Sequence, residues 1–299
     1  MTITATQTGH APVNGLDLYY EISGAGQPLI LLHGGFGATG MYGELLPALI
    51  ADYRVIAVDL QGHGRTADID RPLRFETMAN DIAALIAHLG FERADGMGYS
   101  LGGGVALQTA IRHPEVVDRL ILVSTPYKRD CWYAESRAAM DQMGAATAEP
   151  MKQTPLYDAY TRIAPRPDDW ATLWAKMGDL LRQEYDWSAG VAGLTMPTLL
   201  IFGDADSVSP AARRCILRPP RRRSAGWQLG SLGRDAPPPR HPAQHDALRY
   251  PWCPRARTHS RVVPRRAAAR FGLIIRCAAV SAPMGGEREL YRATMCGSR

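Results

Sequence analysis

Over the first 210 positions, short apolar runs alternate with segments whose apolar residues recur every three to four positions. Residues 16–22 alternate apolar and polar side chains well enough for an edge strand. Residues 28–32 are a short apolar run, the pattern of a buried parallel strand, and 54–58 read as a second strand. Between them, 41–50 has helical spacing. In 75–89 the apolar residues Met78, Ile82, Leu85, Ile86 and Leu89 share one helical face, and Gly90 supplies the C-terminal stop. Residues 94–99 read as a strand, 101–112 as a helix and 117–124 as a very apolar strand. A mainly helical stretch rich in Trp, Tyr and Met fills 127–192, and 198–202 restores a buried strand.

This alternation predicts an α/β fold, a doubly wound and mostly parallel sheet with helices on both faces. The helices of 127–192 then form a cap above the carboxyl edge of the sheet, where ligands bind in open α/β folds. The chain divides into a first core part (1–126), the helical cap (127–192), a core strand followed by acids (193–210) and a remainder (211–299).

Charge changes the picture for that remainder. The net charge of the 299 residues is +5. Yet 1–210 holds 15 Lys and Arg against 25 acids, whereas 211–299 holds 19 Arg, no Lys and 4 acids. A tail this basic raises the possibility of nucleic-acid binding, but it contains no recognisable module and no ordered interleaving of aromatics, so no specific nucleic-acid partner is expected. Five cysteines, without motif spacing, argue against a disulfide framework or a zinc site. His10, His33, His63, His88 and His113 show no ligand spacing, so neither metal nor organic cofactor is expected. Residues 1–11 have no apolar signal core, and no run reaches the ~20 residues of a membrane span, so a cytoplasmic chain with a small-molecule substrate and no membrane partner is the expectation.

Four motifs carry candidate chemistry. Gly98-Tyr99-Ser100-Leu101-Gly102 is a G-x-S-x-G sequence between a predicted strand and a predicted helix, the context of a nucleophile elbow. Such an elbow holds its serine in a strained conformation, exposes Oγ and aims the first helical N–H groups at the site. His33-Gly34-Gly35-Phe36-Gly37 follows the strand 28–32. Backbone N–H groups there, from Gly35 or Phe36, together with that of Leu101, would form an oxyanion hole. His33 reads as orienting the loop. Asp59-Leu60-Gln61-Gly62-His63-Gly64-Arg65 follows 54–58, and Asp59 and His63 read as loop-structural, Asp59 capping a turn. Gly203-Asp204-Ala205-Asp206 ends the strand 198–202; Asp206 is favoured over Asp204 as the carboxylate that orients a histidine, being further past the strand end.

Together the HGGFG, DLQGHG, GYSLG and GDAD motifs resemble the α/β-hydrolase superfamily, in its capped esterase, lactonase and cofactor-free haloperoxidase-like branch, over about residues 14–210. The resemblance implies Ser100 as nucleophile, Asp206 as acid, oxyanion donors at Gly35 or Phe36 and at Leu101, and hydrolysis of a small ester, thioester or lactone. A serine at the elbow disfavours the dehalogenase and epoxide-hydrolase branches, which use aspartate. Aromatic and methionine residues of the cap (Trp132, Tyr133, Met140, Met143, Trp170, Trp174, Met177) suggest an apolar pocket, although packing of the cap against the sheet is the better explanation for any one of them.

The family pattern also requires a final strand, a loop with the catalytic histidine and a last amphipathic helix, and 211–299 has none of their periodicity. That segment reads as an irregular basic tail, expected to be disordered, with the C-terminal strand and helix missing. Among its histidines (His241, His245 and His259), His245 lies nearest the lost position. Reading the codons of 241–250 one base later admits Ile-Leu-Pro-(Ser or Asn)-Thr-Thr-His-Tyr-Asp-Ile, which resembles the missing strand and histidine loop. A one-base frameshift just after Pro210 is therefore the working expectation for the tail. Its counterpart is a chain that is hydrolase-like but catalytically inert.

Overall fold

The computed structural model describes residues 7–43, 45–203 and 206–209, together with the backbone of 275–276 and 294–295. Seven strands form one sheet: β1 (Gln7–Val13), β2 (Leu16–Ser23), β3 (Gln27–Leu32), β4 (Tyr53–Val58), β5 (Ala94–Tyr99), β6 (Val117–Val123) and β7 (Thr198–Ile201). Their spatial order is β1-β2-β4-β3-β5-β6-β7. The pairs β1·β2 and β2·β4 are antiparallel, and every pair from β4 to β7 is parallel. This is the α/β fold the alternation predicts.

Two elements differ from expectation. Residues 16–22 are not the edge, because β1 pairs outside them. Strand β1 buries only Ala11 and Val13, so hydropathy does not reveal it. The signal lay in the turn instead: Asn14 and Gly15 have φ of 49° and 83°, the left-handed pair of a tight hairpin. The helix expected over 41–50 is broken into a 3₁₀ turn (Thr39–Tyr42) and a single α-turn, α1 (Leu46–Leu49). Gly40 and Gly43 weaken helix propagation between them.

Helix α2 (Phe75–His88) and helix α3 (Leu101–Arg112) cover one face of the sheet. That face contributes Ile30, Leu32, Ile56, Val58, Leu120 and Leu122 to the larger core. The alternate residues Leu29, Leu31, Val55, Ala57, Met97 and Ile121 point to the other face and pack with Tyr42, Leu46 and Leu49. Between β6 and β7 lie α4 (Ala134–Asp141), α5 (Ala145–Ala148), α6 (Pro155–Thr161), α7 (Trp170–Arg182) and α8 (Ser188–Ala192). Within 211–299, β8 (Ile275–Arg276) and β9 (Thr294–Met295) form a separate antiparallel pair. Among the described residues no helix is long and apolar enough to cross a membrane.

Candidate active site

The chain runs from β3 to β4 on one side and then returns to place β5 on the other side of β3. At such a switch point the loops leaving two neighbouring strands diverge and open a crevice at the carboxyl edge. Here the two loops are 33–37, after β3, and the β5–α3 junction. Both carry sequence motifs.

At the junction Ser100 has φ 50° and ψ −111°, a conformation rare for a residue with a Cβ. Its N–H donates to the carbonyl of Val123 at 2.9 Å, which fixes it against β6. The flanking glycines follow from close approach. A Cβ on Gly98 would lie 2.2 Å from the carbonyl oxygen of Gly102, and one on Gly102 would lie 2.4 Å from the carbonyl oxygens of both Leu32 and His33. The N–H of Gly102 donates to the His33 carbonyl at 3.0 Å, binding the elbow to the neighbouring loop. Leu101 is the first residue of α3, where the helix dipole favours negative charge.

In the neighbouring loop Phe36 has φ 59°, again left-handed for a bulky side chain. Its ring stacks on Trp174 with centroids 4.8 Å apart, and Trp170 is 5.7 Å away. The Cε of Met177 lies 2.9 Å from where a Cβ on Gly35 would stand, so the methionine closes directly over this glycine. His33 is wholly buried; its Nδ1 bonds to the Gly34 carbonyl at 2.7 Å and its Nε2 accepts from the N–H of Leu60 at 3.1 Å. Burial pushes its pKa down to about 4, so the ring is neutral and acts as a brace between two loops.

Asp59 is also buried. Its carboxylate accepts from the N–H groups of Thr39 (2.7 Å) and Arg65 (2.8 Å), and burial raises its pKa against the pull of those bonds. His63 bonds through Nδ1 to the Gln61 carbonyl at 2.9 Å, and burial, reinforced by His33, lowers its pKa to about 3. His63 therefore bonds within its own loop, and Asp59 ties that loop to the Thr39 backbone.

Asp206 follows β7. One carboxylate oxygen accepts from the Ser124 hydroxyl at 2.6 Å and from the N–H of Gly203 at 3.2 Å; the other accepts from the N–H of Val208 at 3.0 Å. Ser124, with φ 52°, directly follows Val123, whose carbonyl holds the Ser100 N–H. The structure thus brings the 33–37 loop, Ser100 and Asp206 to the carboxyl ends of β3, β5 and β7, with β6 and its Ser124 between the last two. Ser124 was not singled out from sequence. A polar residue closing a very apolar strand, at the edge where sites form, was its available signal. Asp204, His241, His245 and His259 lie outside the described residues, and no histidine among the described residues bonds to Asp206.

Of the cap aromatics and methionines, Trp170, Trp174 and Met177 are buried over the loop, while Tyr133 is exposed and Trp132, Met140 and Met143 are half-buried. The indole N–H groups of Trp170 and Trp174 donate to the Ala148 carbonyl and the Thr147 hydroxyl, so both rings also hold α5 in place.

A strand–elbow–helix at a switch point, with a glycine loop beside it and a carboxylate two strands away, defines the α/β-hydrolase architecture. The chain belongs to the α/β-hydrolase family. The family model for the alpha/beta hydrolase fold matches residues 27–165. RutD of Azorhizobium caulinodans, named provisionally as a carbamate hydrolase, is 30% identical over 216 residues, 67% of this chain and 82% of that relative. A soluble epoxide hydrolase of Corynebacterium sp. (strain C12) is 36% identical over 116 residues, 38% of this chain. The chain spans only 40% of that relative's length. Among solved structures, the enol-lactonase of Burkholderia xenovorans LB400 superposes with a TM-score of 0.53 at 24% identity, over 69% of this chain and 86% of that one. A thermophilic esterase of Thermogutta terrifontis gives 0.56 at 23%, over 71% and 85%. At these identities the two structures speak to the fold.

Proposed function

We propose that this chain is a serine hydrolase acting in the cytoplasm on a small carboxylic ester, thioester or lactone through an acyl-enzyme. The observation that carries the reading is the Ser100 backbone, held at φ 50° by contacts that admit only glycine at positions 98 and 102. In the first half-reaction Oγ of Ser100 attacks the carbonyl carbon and its proton passes to a histidine base. The tetrahedral oxyanion is held by the N–H of Leu101 and that of Gly35 or Phe36, each donor worth about 3 kcal/mol of barrier. The bond to the leaving alcohol or thiol then breaks as that group takes the proton. Water repeats the sequence on the acyl-enzyme and releases the acid. Asp206 stabilises the imidazolium of the base. The sequence offers His245 for that role. The reaction as written uses no metal and no organic cofactor. Epoxide opening, the activity named for one relative, is not proposed, because the elbow bears serine.

A second reading, a hydrolase-like chain that does not turn over, is favoured by one observation. The carboxylate of Asp206 already accepts three hydrogen bonds, from Ser124, Gly203 and Val208, out of about four that its lone pairs can take. Fluorophosphonate labelling of the purified chain, with the modified residue located by mass spectrometry, decides between them. Labelling at Ser100 that disappears in Ser100→Ala supports the active reading. A folded, unlabelled chain supports the inert one.

A further inference from the structure

Phe36 keeps a left-handed backbone although nothing in its own side chain favours it, and such a conformation persists only where the surroundings over-determine it. Those surroundings are one face of α7. Trp170 and Trp174, one helical turn apart, both pack on the Phe36 ring, and Met177 closes over Gly35. The loop is therefore only as well placed as α7 is.

Lys176 fastens α7 to the core. Its ammonium has three donors, and all three are used on one short segment of the core: Asp68 Oδ2 at 2.5 Å, the Ile69 carbonyl at 2.7 Å and the Arg71 carbonyl at 2.9 Å. The segment 68–71 is itself anchored. Gln61 donates to Asp68 at 2.8 Å and accepts from Arg71 Nε at 2.6 Å, and the guanidinium of Arg71 pairs with the buried Asp81 on α2. Arg166, which precedes α7, donates to the Asp68 carbonyl. Lys176 thus joins the helix that lies over the 33–37 loop to segment 68–71, and Arg71 carries that tie to Asp81 on the core helix α2. The hydrophobic driving force that holds α7 down is itself non-directional. Three directed bonds to an ammonium set its register.

The geometry points to Lys176 as a positioning residue that holds the backbone N–H groups of Gly35 and Phe36 in place through α7. This rests on the reading of those groups as oxyanion donors. A simple latch for the insertion would stabilise α7 without affecting the loop, and the two roles separate by experiment.

In the full chain, Lys176→Met keeps the aliphatic stem and removes the donors, Lys176→Arg restores donors, and Trp174→Leu removes the stacking directly. Hydrogen–deuterium exchange of the peptide covering residues 33–41 should accelerate about ten-fold in Lys176→Met and in Trp174→Leu, with exchange in β5 and α3 unchanged. With p-nitrophenyl acetate, kcat should fall about ten-fold while KM changes less than about two-fold, and Lys176→Arg should recover most of the loss. Wild-type exchange over 33–41 alongside faster exchange in α7 would overturn the proposal, as would a change confined to KM. Should the wild-type chain show no turnover at all, the hydrolase reading fails on its own, and the exchange comparison still decides the role of Lys176.

Discussion

On one face of the sheet, Ile30, Leu32, Ile56, Val58, Leu120 and Leu122 lie under α2 and α3, whose Met78, Ile82, Leu85, Val105 and Ala110 are at most 2% exposed. On the opposite face, Leu29, Leu31, Val55, Ala57, Met97 and Ile121 meet Tyr42, Leu45, Leu46 and Leu49, which belong to little more than two helical turns. The central strands are buried on both faces all the same. The difference appears at the end of the sheet, where every residue of β7 is only half-buried, including Leu199 and Ile201 on the thinner face. The Ser100 elbow and the 33–37 loop stand on the central strands, whereas Asp206 stands on β7. The proposed nucleophile therefore has a firm foundation and the proposed acid a softer one.

The largest expected effect tests the well-covered face. Ile82→Ala should cost about 3–4 kcal/mol in urea unfolding, since a fully buried aliphatic chain is replaced by a cavity. Leu31→Ala, 0% exposed at the centre of the thinner face, should cost about as much. A loss below about 1 kcal/mol would mean that the thinner face is loose throughout rather than only at β7.

Acidity probes the loops above the sheet. The folded pKa of His33 is about 4 and that of His63 about 3, both below the ordinary value near 6.5. The unfolded chain therefore binds protons that the folded one refuses, and stability falls as pH drops from about 6.5 toward 4. His33 alone accounts for about 3 kcal/mol over that window, at about 1.4 kcal/mol per pKa unit. Urea midpoints measured between pH 7 and 4 should show this slope, and His33→Asn should reduce it.

A smaller effect belongs to the elbow. Gly102→Ala should lose about 2 kcal/mol, because its Cβ would press on two main-chain carbonyls of the β3 end. The same substitution should abolish fluorophosphonate labelling before it unfolds the chain. The smallest loss is expected at the sheet end, where Ile201→Ala should cost only about 1 kcal/mol, its side chain being half-buried. A cost equal to that of Leu31→Ala would remove the contrast between centre and edge.

Much of this arrangement was legible in the residues. The apolar runs at 28–32, 55–58 and 120–123 appear as strands because parallel strands buried on both faces are rich in apolar residues, whereas 94–99, with Asp95, Gly96 and Gly98, was legible through the elbow motif that follows it. The glycines around Ser100 and after His33 marked the two loops that the structure places side by side. Strand β1 was not legible by hydropathy, because an edge strand facing water on most of its length carries polar residues. The break in 41–50 had a local signal in Gly43, which the helical spacing of the apolar residues masked.

By itself, then, the sequence determined the class of fold, the position of the strained serine and the two glycine-rich loops, because these depend on local periodicity and on conformations that few residues adopt. Only the tertiary structure decided that Ser124 holds Asp206, that α7 lies on Phe36 and that Lys176 fastens α7 to 68–71. Those partners are separated by 82, 138 and 108 positions, and no local pattern encodes which side chains a folded sheet brings within hydrogen-bonding distance.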